Sequence, residues 1–329
     1  MNPTLKYLRA GLYATIMGGA LATAPSHAEQ ISMESAGANN VVGVLPQALS
    51  SHWADNGVDI QLSLNQTLTR SLLKLGLGRL DSAFVPPFAY DALKQGTGPY
   101  AEMGDQAADL AGNVRSLFSI PTGLYHPITW ADAGIREWSD AEGERIFIGP
   151  PGGAANEQIT SLIEAGGLSE GEYTPVKAPW GAANQAFQDG QYDVYVGAFG
   201  LGSQALAELS LSRDIYLLSV GDVEPPKGTG LQLSEIPPNT YPGQVNEEAI
   251  HAWQLTMLMM VNKDISEEVA YQLTKTYFEH RDQLANNNKV LAYLSDSNPF
   301  AGVDTPLHPG AVRYYQEAGM SIPERLLTK

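Results

Sequence analysis

A chain of 329 residues with 43% hydrophobic and 17% charged side chains has the composition of a folded globular protein, long enough for one large or two medium domains. It contains no cysteine, which excludes disulfide scaffolds, zinc-thiolate sites, thiol redox centres and cysteine nucleophiles. A formal charge of −17 argues against a nucleic-acid partner, which needs clustered Lys and Arg. It leaves room for an anionic small ligand, because a local site can oppose the global sign.

The first 28 residues stand apart. Lys6 and Arg9 lead into the small and apolar run from Ala10 to Ala22, and the first acidic residue is Glu29. A basic start, a short apolar stretch and small residues at Ser26 and Ala28 are the features of a secretory signal peptide cut after Ala28. The apolar run is short for a membrane span, and no Cys follows it to carry a lipid. Without Lys6 and Arg9 the mature chain holds 17 basic against 36 acidic residues. The expectation is an exported, soluble protein of a bacterial periplasm.

From Glu29 onward, apolar runs of strand length alternate with segments of helical period, the sequence form of an α/β fold. In chain order the expected elements are strands over 40–44 and 58–64, a helix over 66–75, and strands over 82–85 and 145–148. Helices over 157–165 and 182–188, a strand over 193–197, a helix over 204–211 and a strand over 215–220 follow. The segment 222–242 holds Pro225, Pro226, Pro237, Pro238 and Pro242 with Gly228 and Gly230, the composition of a crossover or linker. A strand over 255–261 then precedes the longest helix, 266–284, where Ser266 stands as a cap and Glu267 and Glu268 suit the positive end of the helix dipole. Val269, Leu273, Thr276 and Tyr277 keep its 3.6 period. There is no internal repeat.

Catalytic templates find no match. The six histidines, at 27, 52, 126, 251, 280 and 308, form no HExxH and no i, i+4 pair, so no metal site is expected. Ser203 lies in Gly-Leu-Gly-Ser-Gln-Ala and lacks the glycine that a nucleophile elbow places after its serine. Gly76-Leu77-Gly78 has no third glycine at dinucleotide spacing. No catalytic residue and no cofactor is expected, and the chain does not read as an enzyme.

One constellation does carry chemistry. Arg145-Ile146-Phe147-Ile148 runs into Gly149-Pro150-Pro151-Gly152-Gly153-Ala154-Ala155-Asn156 and then a helix. A glycine-rich turn between a strand and a helix N-terminus brings backbone amides and the positive dipole end to an anion such as a carboxylate. Without Gly-Lys-Ser or Gly-Lys-Thr it is not a nucleotide P-loop. A tight turn with no ligand is the other reading of the same residues.

The stretch from Ile146 to Ser169, with Gly-Pro-Pro-Gly-Gly and then Leu162-Ile163-Glu164-Ala165-Gly166-Gly167-Leu168, resembles the second-lobe loop of the TAXI family of solute-binding proteins, which serve TRAP transporters. Further matches are Tyr90-Asp91-Ala92 with Gly96-Thr97-Gly98, Gln188 to Val194, and Ile236-Pro237-Pro238-Asn239-Thr240-Tyr241-Pro242-Gly243-Gln244. Glu268 to Lys275, and Pro306 to Ala311 with Tyr314-Tyr315, extend the resemblance over nearly the whole mature chain in order. It implies a two-lobed periplasmic binding protein of type II-like α/β fold, with two hinge crossings and a ligand cleft between lobes. Crossings near Gly134 and Pro237 give lobe one as 29–134 plus 238–329 and lobe two as 135–237. Known members favour glutamate, 2-oxoglutarate and related carboxylates. The implied partners are a small carboxylate solute and the TRAP membrane subunits, the chain itself acting as a monomer.

The chain departs from the family where the solute is held. A Gly-Gly turn with paired Tyr is replaced by Asn39-Asn40-Val41-Val42-Gly43, a small Gly- and Ser-rich turn by Asn65-Gln66-Thr67, and Gln-Ser-Asp by Pro86-Pro87-Phe88. The hydroxyls of the lobe-two loop have become Gly153, Ala154 and Ala155. The candidate ligand-binding residues are Asn39, Asn40, Gln66, Thr67 and Phe88 from lobe one. Gly152, Gly153, Asn156, Trp180 and Phe199 come from lobe two, and Tyr241 from the second crossing. Pro86-Pro87-Phe88 offers no side-chain oxygen for an ammonium, which points to an organic acid lacking one. An exported sensor that presents its ligand-bound form to a receptor would share these features, and a secreted hydrolase is the more distant alternative.

Overall fold

The computed structural model describes residues 28–38, 40–150, 154–226, 229–292, 294–295 and 297–327. The expected signal peptide apart from Ala28, and the candidate residues Asn39, Gly152 and Gly153, lie outside them. In chain order the elements are β1 (Glu29–Glu34), α1 (Val41–Asp55), β2 (Val58–Ser63), α2 (Leu68–Gly76), β3 (Ser82–Val85), α3 (Pro87–Gln95), α4 (Asp105–Ala111) and the long β4 (Val114–Trp130). Then come β5 (Arg145–Phe147), α5 (Ala154–Ala165), β6 (Thr174–Val176), α6 (Trp180–Gln188), β7 (Val194–Phe199), α7 (Gln204–Ser212), β8 (Ile215–Leu217) and β9 (Leu231–Ile236). A second long strand, β10 (Ile250–Asn262), leads to α8 (Glu267–Asn287) and α9 (Pro309–Glu317). No helix among the described residues is long and apolar enough to cross a membrane.

The strands form one sheet in the order β2-β1-β3-β10-β4-β7-β5-β6, with β9 beside β10 and β8 beside β4. At one end β1 runs parallel to β2 and β3; at the other β5 runs parallel to β6 and β7. Between these sets β10 is antiparallel to both β3 and β4. Parallel strands need helices on both faces, and the residues supply them. β3, Ser-Ala-Phe-Val, is buried along its whole length. One core packs Leu45, Leu49 and Trp53 of α1 and Leu273 and Tyr277 of α8 against residues 114–120 of β4 and 258–261 of β10.

Beyond residue 123 of β4 the two sheet faces enter two other cores. Leu124 and Ile128 pack with Phe187 of α6 and Leu206 of α7, whereas Tyr125 packs with Ile159 and Leu162 of α5 and with Trp253 of β10. The molecule is thus two-lobed, and β4 and β10 run through both lobes. The cores part inside these strands, between Ile120 and Leu124 and between Trp253 and Leu258. Here the ladder shifts register: Leu255 faces Gly123 but Thr256 faces Pro121, so Thr122 bulges out. Gly134 caps a short 3-10 turn after β4, and Pro237 follows β9 directly.

Three segments differ from the sequence-based expectation. The strand expected over 40–44 is the start of α1, because Asn40 acts as an N-cap, its Oδ1 accepting the Gly43 amide at 3.0 Å. Gly43 is required there: a Cβ would lie 2.1 Å from the Gly37 carbonyl oxygen. The strand comes earlier, at β1. The segment 222–242 contains a six-residue strand, β9, paired with β10 from Leu231–Leu255 to Ile236–Ile250. β4 itself is hidden in the sequence by Pro121, Gly123 and Pro127, which break the alternating pattern. The helix expected over 266–284 forms as anticipated, Ser266 Oγ accepting the Val269 amide at 3.1 Å.

Gly230, at the entry to β9, has φ +70° and lies so close to the β3–α3 turn that a Cβ would sit 2.3 Å from Pro87. Gly230→Ala is expected to cost about 1–3 kcal/mol of overpacking on top of backbone strain. Gly134→Ala, at φ +80° with nothing within 4 Å, carries the strain alone. Urea unfolding of both variants checks this; equal losses would show that the Pro87 contact is relieved at no cost.

Candidate functional site

Strand direction places the site. β3 runs from Ser82 to Val85 beside Val261 to Leu258, so its C-terminal end lies against the central stretch of β10. β7 ends at Phe199 opposite Leu124, against the corresponding stretch of β4. β1 and β2 run parallel to β3, and β5 and β6 parallel to β7. The C-terminal ends of all six strands therefore face the gap between the lobes, where open α/β sheets bind ligands.

On the lobe-one side two loops are knitted together by backbone bonds: Ser35 N to Ser63 O, Asn65 N to Ala36 O and Gln66 N to Ser35 O, each 3.0 Å. Gln66 spends its Nε2 donor on the Leu64 carbonyl at 2.9 Å. Thr67 precedes α2, is exposed and makes no capping bond with its hydroxyl. Phe88 is half-buried against the first core and lines a narrow cavity of about 40 Å³ with Gln158 and Thr256. Arg70 is exposed.

On the lobe-two side Asn156 donates from Nδ2 to the Ile148 carbonyl at 2.5 Å, which clips the strand end to the first turn of α5. Trp180 opens α6, is 38% exposed and packs edge-on against Phe147, ring centres 5.4 Å apart; it lines none of the cavities described here. Tyr241 is 1% exposed and lies in the core beneath the cleft. Its hydroxyl donates to His126 Nε2 at 2.8 Å, while His126 Nδ1 donates to the Leu124 carbonyl at 2.9 Å. Phe199 packs edge-on against the same imidazole and faces the cleft.

What the lobes enclose around Phe199 is a cavity of about 360 Å³. Asn40 and Val41 bring the N-terminus of α1, Ser203 and Gln204 bring that of α7, and Thr122 is the residue bulged out of the β4–β10 ladder. Ser203 makes no capping bond with its own hydroxyl. Lys289, in the turn after α8, is the only cationic side chain lining this cavity among the described residues. Two helix N-termini and an exposed ammonium make a locally positive site in an acidic chain. Of the candidates in the described residues, the fold brings Asn40 and Phe199 together here. Gln66 and Thr67 sit on the neighbouring loop, Phe88 lines the narrower cavity, and Asn156, Trp180 and Tyr241 do not line this one.

Thr122, Ser203 and Lys289 escaped the sequence reading. Ser203 carried a legible signal, a serine directly before a helical segment. Thr122 and Lys289 carried none, since only the register shift and the chain's return from α8 deliver them. Among the described residues no group of three or more His, Asp or Glu is placed to hold a metal.

Comparison with known proteins bears on this geometry. Residues 47–319 match the NMT1-like family. Among solved structures, the chain is similar to the periplasmic aliphatic sulphonate binding protein SsuA from Escherichia coli, with a TM-score of 0.50 and 12% identity over 88% of this chain and 83% of that one. It is also similar to the alkanesulfonate-binding protein SsuA from Xanthomonas axonopodis pv. citri, with a TM-score of 0.48 and 16% identity over 92% and 96%. A TRAP periplasmic solute binding protein from Rhodobacter sphaeroides gives a TM-score of 0.48 and 12% identity over 88% and 83%. The first of these has the two-lobed periplasmic binding protein fold derived above.

Burial pushes the His126 imidazole down from its ordinary value to about 4 and keeps it neutral. Between about 4 and 6.5 the unfolded chain binds a proton that the folded chain does not. Stability from this group is therefore full above pH 6.5 and is lost as pH falls towards 4, by roughly 3 kcal/mol at most. Urea unfolding at pH 7.5 and pH 5 should show a steeper loss in the native chain than in His126→Gln. Parallel losses would mean that carboxylates alone set the acid limit.

Proposed function

The chain belongs to the NMT1-like family, and from that premise we propose that it is a periplasmic solute-binding protein that captures a small carboxylate by closing its lobes and delivers it to a membrane carrier. The carrying observation is the cavity in which the N-termini of α1 and α7 and the Lys289 ammonium converge between the lobes. Amide donors and a cation from both sides hold a carboxylate only when the lobes approach each other, so binding stabilises the closed form. The collinear TAXI resemblance supports a TRAP carrier as the partner. The hinge is proposed to lie at residues 121–123 and 255–257, where the cores part and the ladder shifts register, rather than at Gly134 and Pro237. Export with cleavage after Ala28 is supported by Glu29 being the first residue of β1. Mass spectrometry of periplasmic protein should find Glu29 as the first residue.

A solute lacking an α-ammonium is preferred, because Pro86-Pro87-Phe88 supplies no side-chain acceptor beside the cleft. In calorimetry 2-oxoglutarate is expected to bind more tightly than glutamate; the reverse order would show that backbone carbonyls or another carboxylate hold the ammonium. Lys289→Gln should weaken any bound carboxylate about tenfold, or about 1.4 kcal/mol. At a hundred times its dissociation constant the solute should stabilise the fold by about 2.7 kcal/mol. Small-angle scattering should show compaction at the same concentration, and scattering unchanged at saturation would count against closure.

A further inference from the structure

Beside the anion cavity, and sharing Leu201 with it, lies a second space of about 500 Å³. Its floor is the sheet at the hinge. Gln232 of β9 stands directly opposite Gln254 of β10, and Ser234 opposite Ala252, on the face that continues to Ile236 and Ile250 in the lobe-two core. The alternate residues, Leu233 and Trp253, turn to the other face and pack against the core under α5. One sheet face thus changes from an apolar pair to a small, polar one and then to a pair of amides as it emerges from the core into the gap.

We infer that this groove receives the remainder of the solute, and that the solute is a carboxylate carrying a neutral, hydroxyl-bearing chain; this deepens the carboxylate reading above and rests on it. Gln232 and Gln254 are half-buried, and their amides find no partner among the described residues. Each offers two donors and one acceptor. Asn298 uses its Oδ1 to accept the Phe300 amide, which leaves its Nδ2 free, and Ser297 donates to the Leu294 carbonyl, which leaves its oxygen able to accept. Hydroxyl groups both donate and accept, so a polyhydroxy chain satisfies these groups. An alkyl chain would leave two amides unpaired, a strong penalty. No charged side chain lines this space among the described residues, so it selects neither a second carboxylate nor an ammonium. A site built to bond hydroxyls rejects an analogue without them far more strongly than an apolar pocket rejects an added one.

Calorimetry of the full mature chain with D-gluconate, hexanoate and sorbitol separates the two readings. Gluconate and hexanoate share six carbons and one carboxylate and differ in hydroxyls; sorbitol keeps the hydroxyls and lacks the charge. The expected order is gluconate at least tenfold tighter than hexanoate, with sorbitol weakest. Gln232→Leu/Gln254→Leu should narrow the gap between the acids about tenfold, and the single Gln254→Ala should move it the same way. Lys289→Gln should weaken both acids alike. Hexanoate binding as tightly as gluconate to the native chain would overturn the groove assignment and leave the carboxylate reading standing. Sorbitol exceeding both acids would overturn the carboxylate reading instead, and no binding by any of the three would overturn both.

Discussion

The antiparallel ladder between β4 and β10 is the constraint from which the rest of the molecule follows. Among the described residues these two strands are the only elements that contribute to the cores of both lobes, and their pairing runs from Leu124–Gln254 to Val114–Asn262. Each lobe then adds parallel strands to the outer edge of one long strand, β3 beside β10 and β7 beside β4. Because those additions are antiparallel to the strands they join, their C-terminal ends point to the middle of the ladder from both sides. The ligand cleft is a consequence of strand polarity. The same ladder is interrupted where the cleft lies, by a proline without an amide and a bulged threonine, and it shifts register again between Met259 and Met260.

Charge at the cleft runs against the composition. A chain with 36 acidic and 19 basic residues presents helix amides and Lys289 to the gap, a positive site that owes little to side-chain count. Helix N-termini supply this potential without a buried cation, so the cost of burying an unpaired charge in the open form is avoided. Beneath Phe199 the His126–Tyr241 pair braces the end of β7. The imidazole is held neutral, one nitrogen donating to Leu124 and the other accepting from Tyr241. It acts as a structural pin between β4 and the segment after β9, with no base exposed to the cleft.

Legibility in the sequence follows the range of the physical signal. The four buried residues of β3 and the capped, periodic α8 were read correctly because burial on two faces and N-terminal capping are local properties. Asn40, a candidate that does line the cleft cavity, was placed inside an element of the wrong kind: Val41 and Val42 resemble a strand until the Asn40 cap and the close approach of Gly37 to Gly43 are seen in space. Tyr241 was read as a cleft aromatic because its motif sits at a crossover; the structure turns it inward to a histidine 115 positions away. β4 was missed since prolines and a glycine argue against a strand locally, and only pairing with β10, β7 and β8 compensates for them.

By itself, the sequence determined the α/β class, the order of most elements, the absence of cysteine chemistry and a resemblance specific enough to imply two lobes and a solute. Those properties are written in composition, period and spacing, which act over a few residues or over the whole chain. The tertiary structure decided where the two cores part, which side chains meet and what the cleft offers chemically. Asn40, Thr122, Ser203 and Lys289 come from four separate segments, and Gln232 faces Gln254 only through one register of one strand pair. A shift of β9 by a single residue along β10 would turn the Gln232 amide to the opposite face while Gln254 stayed in place, and no local pattern in the chain records which register the packing selects.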